Sequence, residues 1–100
     1  MNDKPKRYIT EYHNDLFDHI EKLRKSAKRN YNGNDLEQLE RICNDYEHSI
    51  NRAAVLYQRN YITAFEAIEK MCGYCKSFTI EYNDTVIQAE RNKREGANNL

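Results

Sequence analysis

The sequence is poor in residues that interrupt regular structure, since it has one proline, Pro5, and only three glycines. It has no tryptophan, and its mean hydropathy of −1.04 is low for a folded domain. So few helix breakers are typical of a chain built from long helices. The shortage of apolar residues predicts a narrow core formed by coiled-coil-like seams. One hundred residues suffice for one helical domain, 1–100, but not for a deep catalytic cleft with its scaffold.

The chain also lacks net charge and long apolar runs. Its 16 basic residues balance its 16 acidic residues, which removes the general attraction expected of a dedicated nucleic-acid binder. No apolar stretch has the length of a membrane span, and none follows the N-terminus as in a secretion signal. Three cysteines, an odd number, then indicate reduced thiols. The sequence therefore predicts a cytoplasmic protein with no membrane partner.

Apolar residues spaced by three and four predict helices at about residues 8–30, 35–58 and 63–95. The first seam is Ile9, Tyr12, Leu16, Ile20, Leu23 and Ala27. The second seam is Leu36, Leu39, Cys43, Tyr46, Ile50, Ala53 and Tyr57. The third seam is Phe65, Ile68, Cys72, Cys75, Thr79, Tyr82, Val86 and Ala89. The fold class is therefore all-α, an antiparallel three-helix bundle, with residues 1–6 and 97–100 expected to be frayed tails.

Two turns separate these helices. Gly33 and its neighbouring asparagines allow a reversal at 30–34, and Glu37 stands at capping-box spacing from Asn34. Thr63 and Glu66 form a second capping box after a change of seam phase, which places a turn at 58–62. Two alternatives stay open. The second and third helices could form one continuous helix with a stutter, and the β-branched residues within 76–89 could form a hairpin.

Antiparallel packing about these turns assigns the seam residues to layers. Tyr46 then faces Cys75, Cys43 faces Thr79, and the first helix brings Leu23 near Cys43. Four isoleucines fall outside the seams and are expected to form exposed stripes, at Ile42, Ile62, Ile80 and Ile87. Such stripes are typical of a partner site or a homodimer interface.

The spacing of Cys72 and Cys75 occurs in redox sites and in zinc sites. A redox pair normally begins a helix after a strand, whereas this pair lies in the middle of a predicted helix. A zinc site would combine the two thiols with Cys43 and a histidine, His48 or the similarly placed His19. The competing interpretation treats all three cysteines as small core residues, and we expect no cofactor.

Basic residues cluster on the first helix, where Lys22, Lys25, Lys28 and Arg29 could contact phosphates. The same cations also complement the C-terminal end of the helix dipole. Tyr31 and Tyr61 each follow an Arg-Asn pair at a turn, and Tyr74 lies off the seams. Tyrosine with arginine is the composition of binding hot spots, so Tyr31, Arg59, Tyr61 and Tyr74 are candidate protein-binding residues. These aromatics could equally cap the bundle ends.

The sequence holds no nucleophile elbow, phosphate loop or His-Glu-x-x-His motif. The favoured hypothesis is a non-enzymatic helical protein that docks on a larger macromolecular complex and modulates or inhibits it. Frequent asparagine and absent tryptophan fit an AT-rich bacterial or phage gene. Two alternatives stay open, namely a nucleic-acid-binding or transcription-regulating helical dimer and a zinc-stabilised helical module.

Overall fold

The computed structural model describes residues 4–98, with side chains from Lys6 to Gly96. Three helices follow one another, α1 (Lys4–Asn30), α2 (Gly33–Gln58) and α3 (Ala64–Asn98). No strand occurs within residues 4–98, so the predicted all-α fold is confirmed and the hairpin alternative for 76–89 is wrong. All three helices pack on one another in an elongated bundle that measures 65 × 18 × 15 Å.

The helices extend beyond their predicted ends. α1 begins at Lys4 instead of about residue 8, because a proline is tolerated in the first turn, where no helical hydrogen bond from its nitrogen is needed. The predicted frayed tails are partly helical, since residues 4–6 belong to α1 and residues 97–98 to α3. The remaining tail residues, 1–3 and 99–100, lie outside the described part of the chain.

The two turns differ in how they are built. α2 begins at Gly33, whose φ of +58° lies in the left-handed region, and its N-cap is Asn32 without a side-chain hydrogen bond. The predicted Asn34 capping box is therefore wrong. At the second turn the Glu66 backbone N–H donates to Thr63 Oγ1 at 3.1 Å. The Thr63 N–H donates to Glu66 Oε1 at 3.3 Å in return. This capping box is confirmed, and α2 and α3 are separate helices.

Hydrogen bonds between helices fix the topology. The Tyr82 hydroxyl donates to the Leu23 carbonyl at 2.9 Å, and the Tyr31 hydroxyl donates to Glu90 Oε1 at 2.5 Å. Both pairs join residues 59 positions apart, so α1 and α3 run parallel. α2 connects the ends of α1 and α3, and it is therefore antiparallel to both.

The seams predicted for α1 and α2 are confirmed, because every residue of both is buried or half-buried. The seam of α3 is partly wrong. Phe65 is 75% exposed, and Thr79 is exposed as well. The buried residues of α3 are Ala67, Met71, Phe78, Tyr82 and Ala89. Small alanines in its first turns allow close helix packing, which leaves the bulky Phe65 outside.

Phe78 occupies the centre of the bundle and is only 1% exposed. Its ring centroid lies 5.6 Å from that of Tyr46 and 5.4 Å from that of Tyr82. The predicted layer had placed Cys75 opposite Tyr46, so the true register differs by three residues, almost one helical turn. Ile42, expected on an exposed stripe, is buried.

Candidate functional site

A groove of about 490 Å³ runs between the parallel helices α1 and α3. Its lining consists of Tyr12, Cys72, Cys75, Lys76, Thr79 and Ile80. Tyr12 and Cys72 meet across the groove, with the hydroxyl oxygen 3.1 Å from Sγ. This hydrogen bond, followed by partial burial, raises the pKa of Tyr12 to about 12. The Tyr12 hydroxyl is therefore a neutral hydrogen-bonding group at physiological pH.

The groove exists because small side chains face α1 along this part of α3. Cys72 and Cys75 are half-buried and lie one turn apart, where larger residues would fill the space between the helices. Lys76 and Ile80 stand at its rim, and both are exposed. An apolar groove with one ammonium group at its edge is suited to apolar side chains of a ligand or partner.

Next to this groove lies the face of α3 that points away from the core, which we name the α3 outer face. It is marked by three exposed apolar residues, Phe65 at 75%, Ile80 at 64% and Ile87 at 52% exposure. They are separated by fifteen and seven residues, so they align along one side of the helix. The prediction of exposed isoleucines holds for Ile80 and Ile87, whereas Ile62 is half-buried. Large apolar side chains aligned in this way indicate an interaction surface.

The candidate protein-binding residues do not form one surface. Tyr31 is half-buried at the α1–α2 turn, where Lys93 Nζ lies 4.3 Å from the centre of its ring. Arg59 and Tyr61 are exposed at the opposite end of the bundle, since the whole of α2 separates the two turns. Tyr74 is half-buried between α2 and α3, beside the cavity next to Tyr46. Tyr31 thus has a structural role, because its hydrogen bond to Glu90 ties α3 to the turn.

Three of the four predicted phosphate-binding residues lie on one exposed line of α1, namely Lys22, Lys25 and Arg29. Lys28 points toward α2, where its Nζ lies 3.8 Å from Glu40 Oε1. The outer line of α1 continues into acidic residues toward the N-terminus, Glu11, Asp15 and Asp18. These carboxylates limit the positive potential available to a nucleic acid.

The proposed zinc ligands are not brought together. Cys43 is buried beside Arg24 and Tyr82, where burial raises the pKa of its thiol and the guanidinium opposes that rise. Cys72 contacts Tyr12, whereas Tyr82, the neighbour of Cys43, contacts Leu23. Tyr12 and Leu23 are eleven residues apart on α1, so Cys72 and Cys43 lie at levels separated by about 16 Å along that helix. Among the described residues no three His, Cys, Asp or Glu side chains form a group that could hold a metal ion. All three thiols are free, and Cys72 and Cys75 lie within a continuous helix.

Two of the smaller cavities on the bundle lie between α2 and a neighbouring helix. One, of about 250 Å³, lies between α1 and α2 beside His13, whose ring stacks on Phe17 with centroids 4.3 Å apart. The other lies between α2 and α3, where the Tyr46 hydroxyl donates to Glu81 Oε2 at 2.7 Å. This hydrogen bond raises the pKa of Tyr46 to about 12. The α1–α3 groove is larger and less polar than either cavity.

Sequence reasoning missed the groove because it treated Cys72 and Cys75 as central core residues. The signal for a rotated helix was the second apolar series Ala67, Met71, Phe78, which competes with the chosen seam.

Within residues 4–98 no helix is long and apolar enough to cross a membrane. Comparison with protein-family models, curated proteins and solved structures found no match. The functional argument therefore depends on the geometry of this chain alone.

Proposed function

We propose that this protein is a small non-enzymatic helical domain that docks on a partner protein through the α1–α3 groove and thereby modulates or inhibits a larger complex. The observation that carries this proposal is the groove itself, an apolar recess between two parallel helices. Recognition sites for helices combine such a recess with few charged groups. Lys76 is the single charged residue of the lining.

The partner surface that fits the groove best is an amphipathic helix. Residues 4–98 contain no strand, so there is no sheet edge to which an extended peptide could add. The groove walls are side chains of α1 and α3, and those helices satisfy their own backbone groups. A helix that inserts a row of apolar side chains would cover the Tyr12 ring and both thiols without leaving backbone groups unpaired.

The decisive experiment compares two matched threonines. Thr79 lines the groove, whereas Thr10 is an exposed helical threonine on α1. Both hydroxyls donate to the carbonyl four residues earlier, at 2.9 and 3.0 Å. We expect Thr79→Glu to abolish capture of the partner from the native host and Thr10→Glu to retain it, because the apolar side chains of the partner would have to cover a carboxylate and remove its water.

Thiol footprinting locates the contact in the captured complex. We expect Cys72 and Cys75 to react with iodoacetamide in the free protein and to be protected when the partner is bound. Cys43 reacts slowly in both states, since it is buried. Partner capture that survives Thr79→Glu, or unchanged labelling of Cys72 and Cys75, would contradict the proposal.

A second candidate function, nucleic-acid binding, is favoured by the line formed by Lys22, Lys25 and Arg29. None of the three forms an ion pair with another described residue. Its test is fluorescence anisotropy with DNA and RNA at low ionic strength. Binding that weakens with salt and is lost in Lys22→Glu/Lys25→Glu supports this function, and no binding at low salt removes it.

A further inference from the structure

We propose that the α3 outer face joins two copies of this chain, packed antiparallel with Ile80 at the two-fold axis. This contact goes beyond the proposed function, because it joins two copies of the same chain, although the α3 outer face shares Lys76 and Ile80 with the groove. Ile80 forms the ridge between the two surfaces.

The charges on the α3 outer face are arranged symmetrically about Ile80 with opposite signs. Glu66 and Glu69 precede Ile80 by fourteen and eleven residues, and Arg94 and Arg91 follow it at the same two distances. All four residues are exposed. In an antiparallel pair, residues equally far from the axis lie level with each other. The acidic end of each copy therefore meets the basic end of the other, at both ends of the contact.

The same symmetry holds near the axis. Lys76 and Asp84 lie four residues on either side of Ile80, so each ammonium is level with a carboxylate of the second copy. Gly73 and Ile87 both lie seven residues from Ile80. Open space surrounds the position of a Cβ on Gly73, which leaves room for the exposed Ile87 side chain of the other copy.

The order of charges alone does not indicate a dimer contact, because α1 has the same order. Its outer line is also acidic first and basic last, an order that any helix favours through its dipole. That line carries Tyr8, 57% exposed, before its acidic end, but no large exposed apolar residue between Glu11 and Arg29. Between its acidic and basic ends, the α3 outer face combines the charge order with two exposed apolar side chains, Ile80 and Ile87. This combination fits a second copy, because a surface that complements itself is what a two-fold interface requires.

The first test is a charge-reversal experiment, followed by sedimentation equilibrium at low ionic strength. Glu66 also caps α3, so the charge pair at eleven residues from the axis is tested, with the acidic member reversed by Glu69→Arg and the basic member by Arg91→Glu. We expect a concentration-dependent dimer for the unchanged protein. Each reversed variant should dimerise about tenfold more weakly, because like charges then meet. A one-to-one mixture of the two variants should restore the dimer.

The matched control is Lys22→Glu/Lys25→Glu on the α1 outer line, which should dimerise like the unchanged protein. Circular dichroism confirms that every variant keeps its helix content. An unchanged protein that stays monomeric up to millimolar concentration would overturn the proposal. A dimer that ignores the α3 reversals, or reversed variants that fail to recover on mixing, would overturn it as well.

The second test fixes the register by cross-linking in a Cys72→Ser/Cys75→Ser background. Ile80→Cys should form a disulfide-linked dimer with glutathione disulfide as oxidant, because the two copies of residue 80 meet at the axis. Ile87→Cys should not, because its two copies are separated by roughly 21 Å along the helix. Equal cross-linking of both variants, or cross-linking of Ile87→Cys alone, would contradict the antiparallel contact about Ile80.

Discussion

The two halves of the bundle are held together differently. The half next to the α1–α2 turn, formed by residues 20–47 and 78–96, is named the turn half. It contains several hydrogen bonds and ion pairs between helices. Arg24 bridges α1 to Glu47 and donates to Asn44 Oδ1 at 2.9 Å, and the Asn92 amide donates to Asp35 at 3.0 Å. In the opposite half, formed by residues 6–19 and 48–77, the described side chains make one hydrogen bond between helices, which joins Tyr12 and Cys72.

This difference means that one half fixes the axial alignment of the helices, whereas the other half mainly holds them together. Apolar burial brings helices together but is non-directional, whereas hydrogen bonds and ion pairs act only when specific side chains are level. The turn half therefore fixes how α1, α2 and α3 are aligned. The opposite half depends on apolar packing around residues such as Ile9, Ala67 and Met71, and most of the α1–α3 groove lies along it.

The largest expected effect comes from Phe78→Ala, at the junction of the two halves. Removing this 1%-exposed side chain leaves a cavity beneath Tyr46 and Tyr82, and we expect the free energy of unfolding to fall by about 3–5 kcal/mol. Phe65→Ala is the control, since that ring is 75% exposed and its loss should change stability by less than about 0.5 kcal/mol. Urea unfolding measures both, and similar losses would contradict the observed rotation of α3.

The next largest effect is expected from removing an ion pair between helices in the turn half. Arg24→Met keeps an apolar stem and removes a guanidinium whose side chain is 15% exposed, beside Glu47 at 19%. We expect a loss of about 1–3 kcal/mol, because Glu47 would be left partly buried without its partner. Arg52→Met, at an exposed position of α2, should change stability by less than about 0.5 kcal/mol. Equal effects would mean that the turn half has no special polar support.

A smaller effect is expected at alkaline pH. Burial raises the pKa of Tyr82 to about 12, above its unfolded value of about 10. The neutral hydroxyl therefore stabilises the fold fully below pH 10, and this contribution is lost as pH rises through 12. Tyr82→Phe should cost about 1 kcal/mol at neutral pH through the lost bond to Leu23. It should also make stability less sensitive between pH 10 and 12.

The control is Tyr61→Phe, because the Tyr61 side chain is 73% exposed at the other turn. Its stability profile from pH 9 to 12 should match that of the unchanged protein. If Tyr82→Phe shows the full alkaline loss, then ionisation of Tyr82 does not destabilise the bundle.

The smallest effect is expected at acid pH. The Tyr31 hydroxyl, with the nearby Lys93, holds the pKa of Glu90 below its usual value. The carboxylate therefore stabilises the fold above about pH 4.5, and this contribution is lost as pH falls through the lowered pKa. Glu90→Gln should show a shallower loss of stability on acidification, measured by thermal unfolding from pH 6 to 2. Glu37→Gln, at an exposed position of α2, should match the unchanged protein, and identical curves for both variants would contradict the role of Glu90.

Much of the fold could be predicted because most helices have a single possible apolar face and a recognisable end. The α1 and α2 seams each offered one continuous apolar series, and the Thr63 capping box marked the start of α3. α3 offered two series that overlap at Tyr82 and Ala89. Choosing between Phe65 and Phe78 as a core residue required knowing how closely α1 and α2 approach, which is a property of three helices packed together.

The candidate site was less predictable than the fold. Exposure of Ile80 and Ile87 was expected from their position outside the seam, and both are exposed. The groove was not expected, because it depends on the contact between Tyr12 and Cys72, which are 60 residues apart. The prediction that Tyr31 and Tyr61 share a binding surface was wrong, because their two turns lie at opposite ends of α2.

By itself the sequence determined that this chain forms three helices with narrow seams, because scarce breakers and regular apolar spacing act over a few residues. Only the tertiary structure decided which side of α3 faces the core, which cysteine is buried, and where a groove remains. Those outcomes depend on the volumes and polar partners that distant helices bring to each other, and one helix pattern read alone does not contain them.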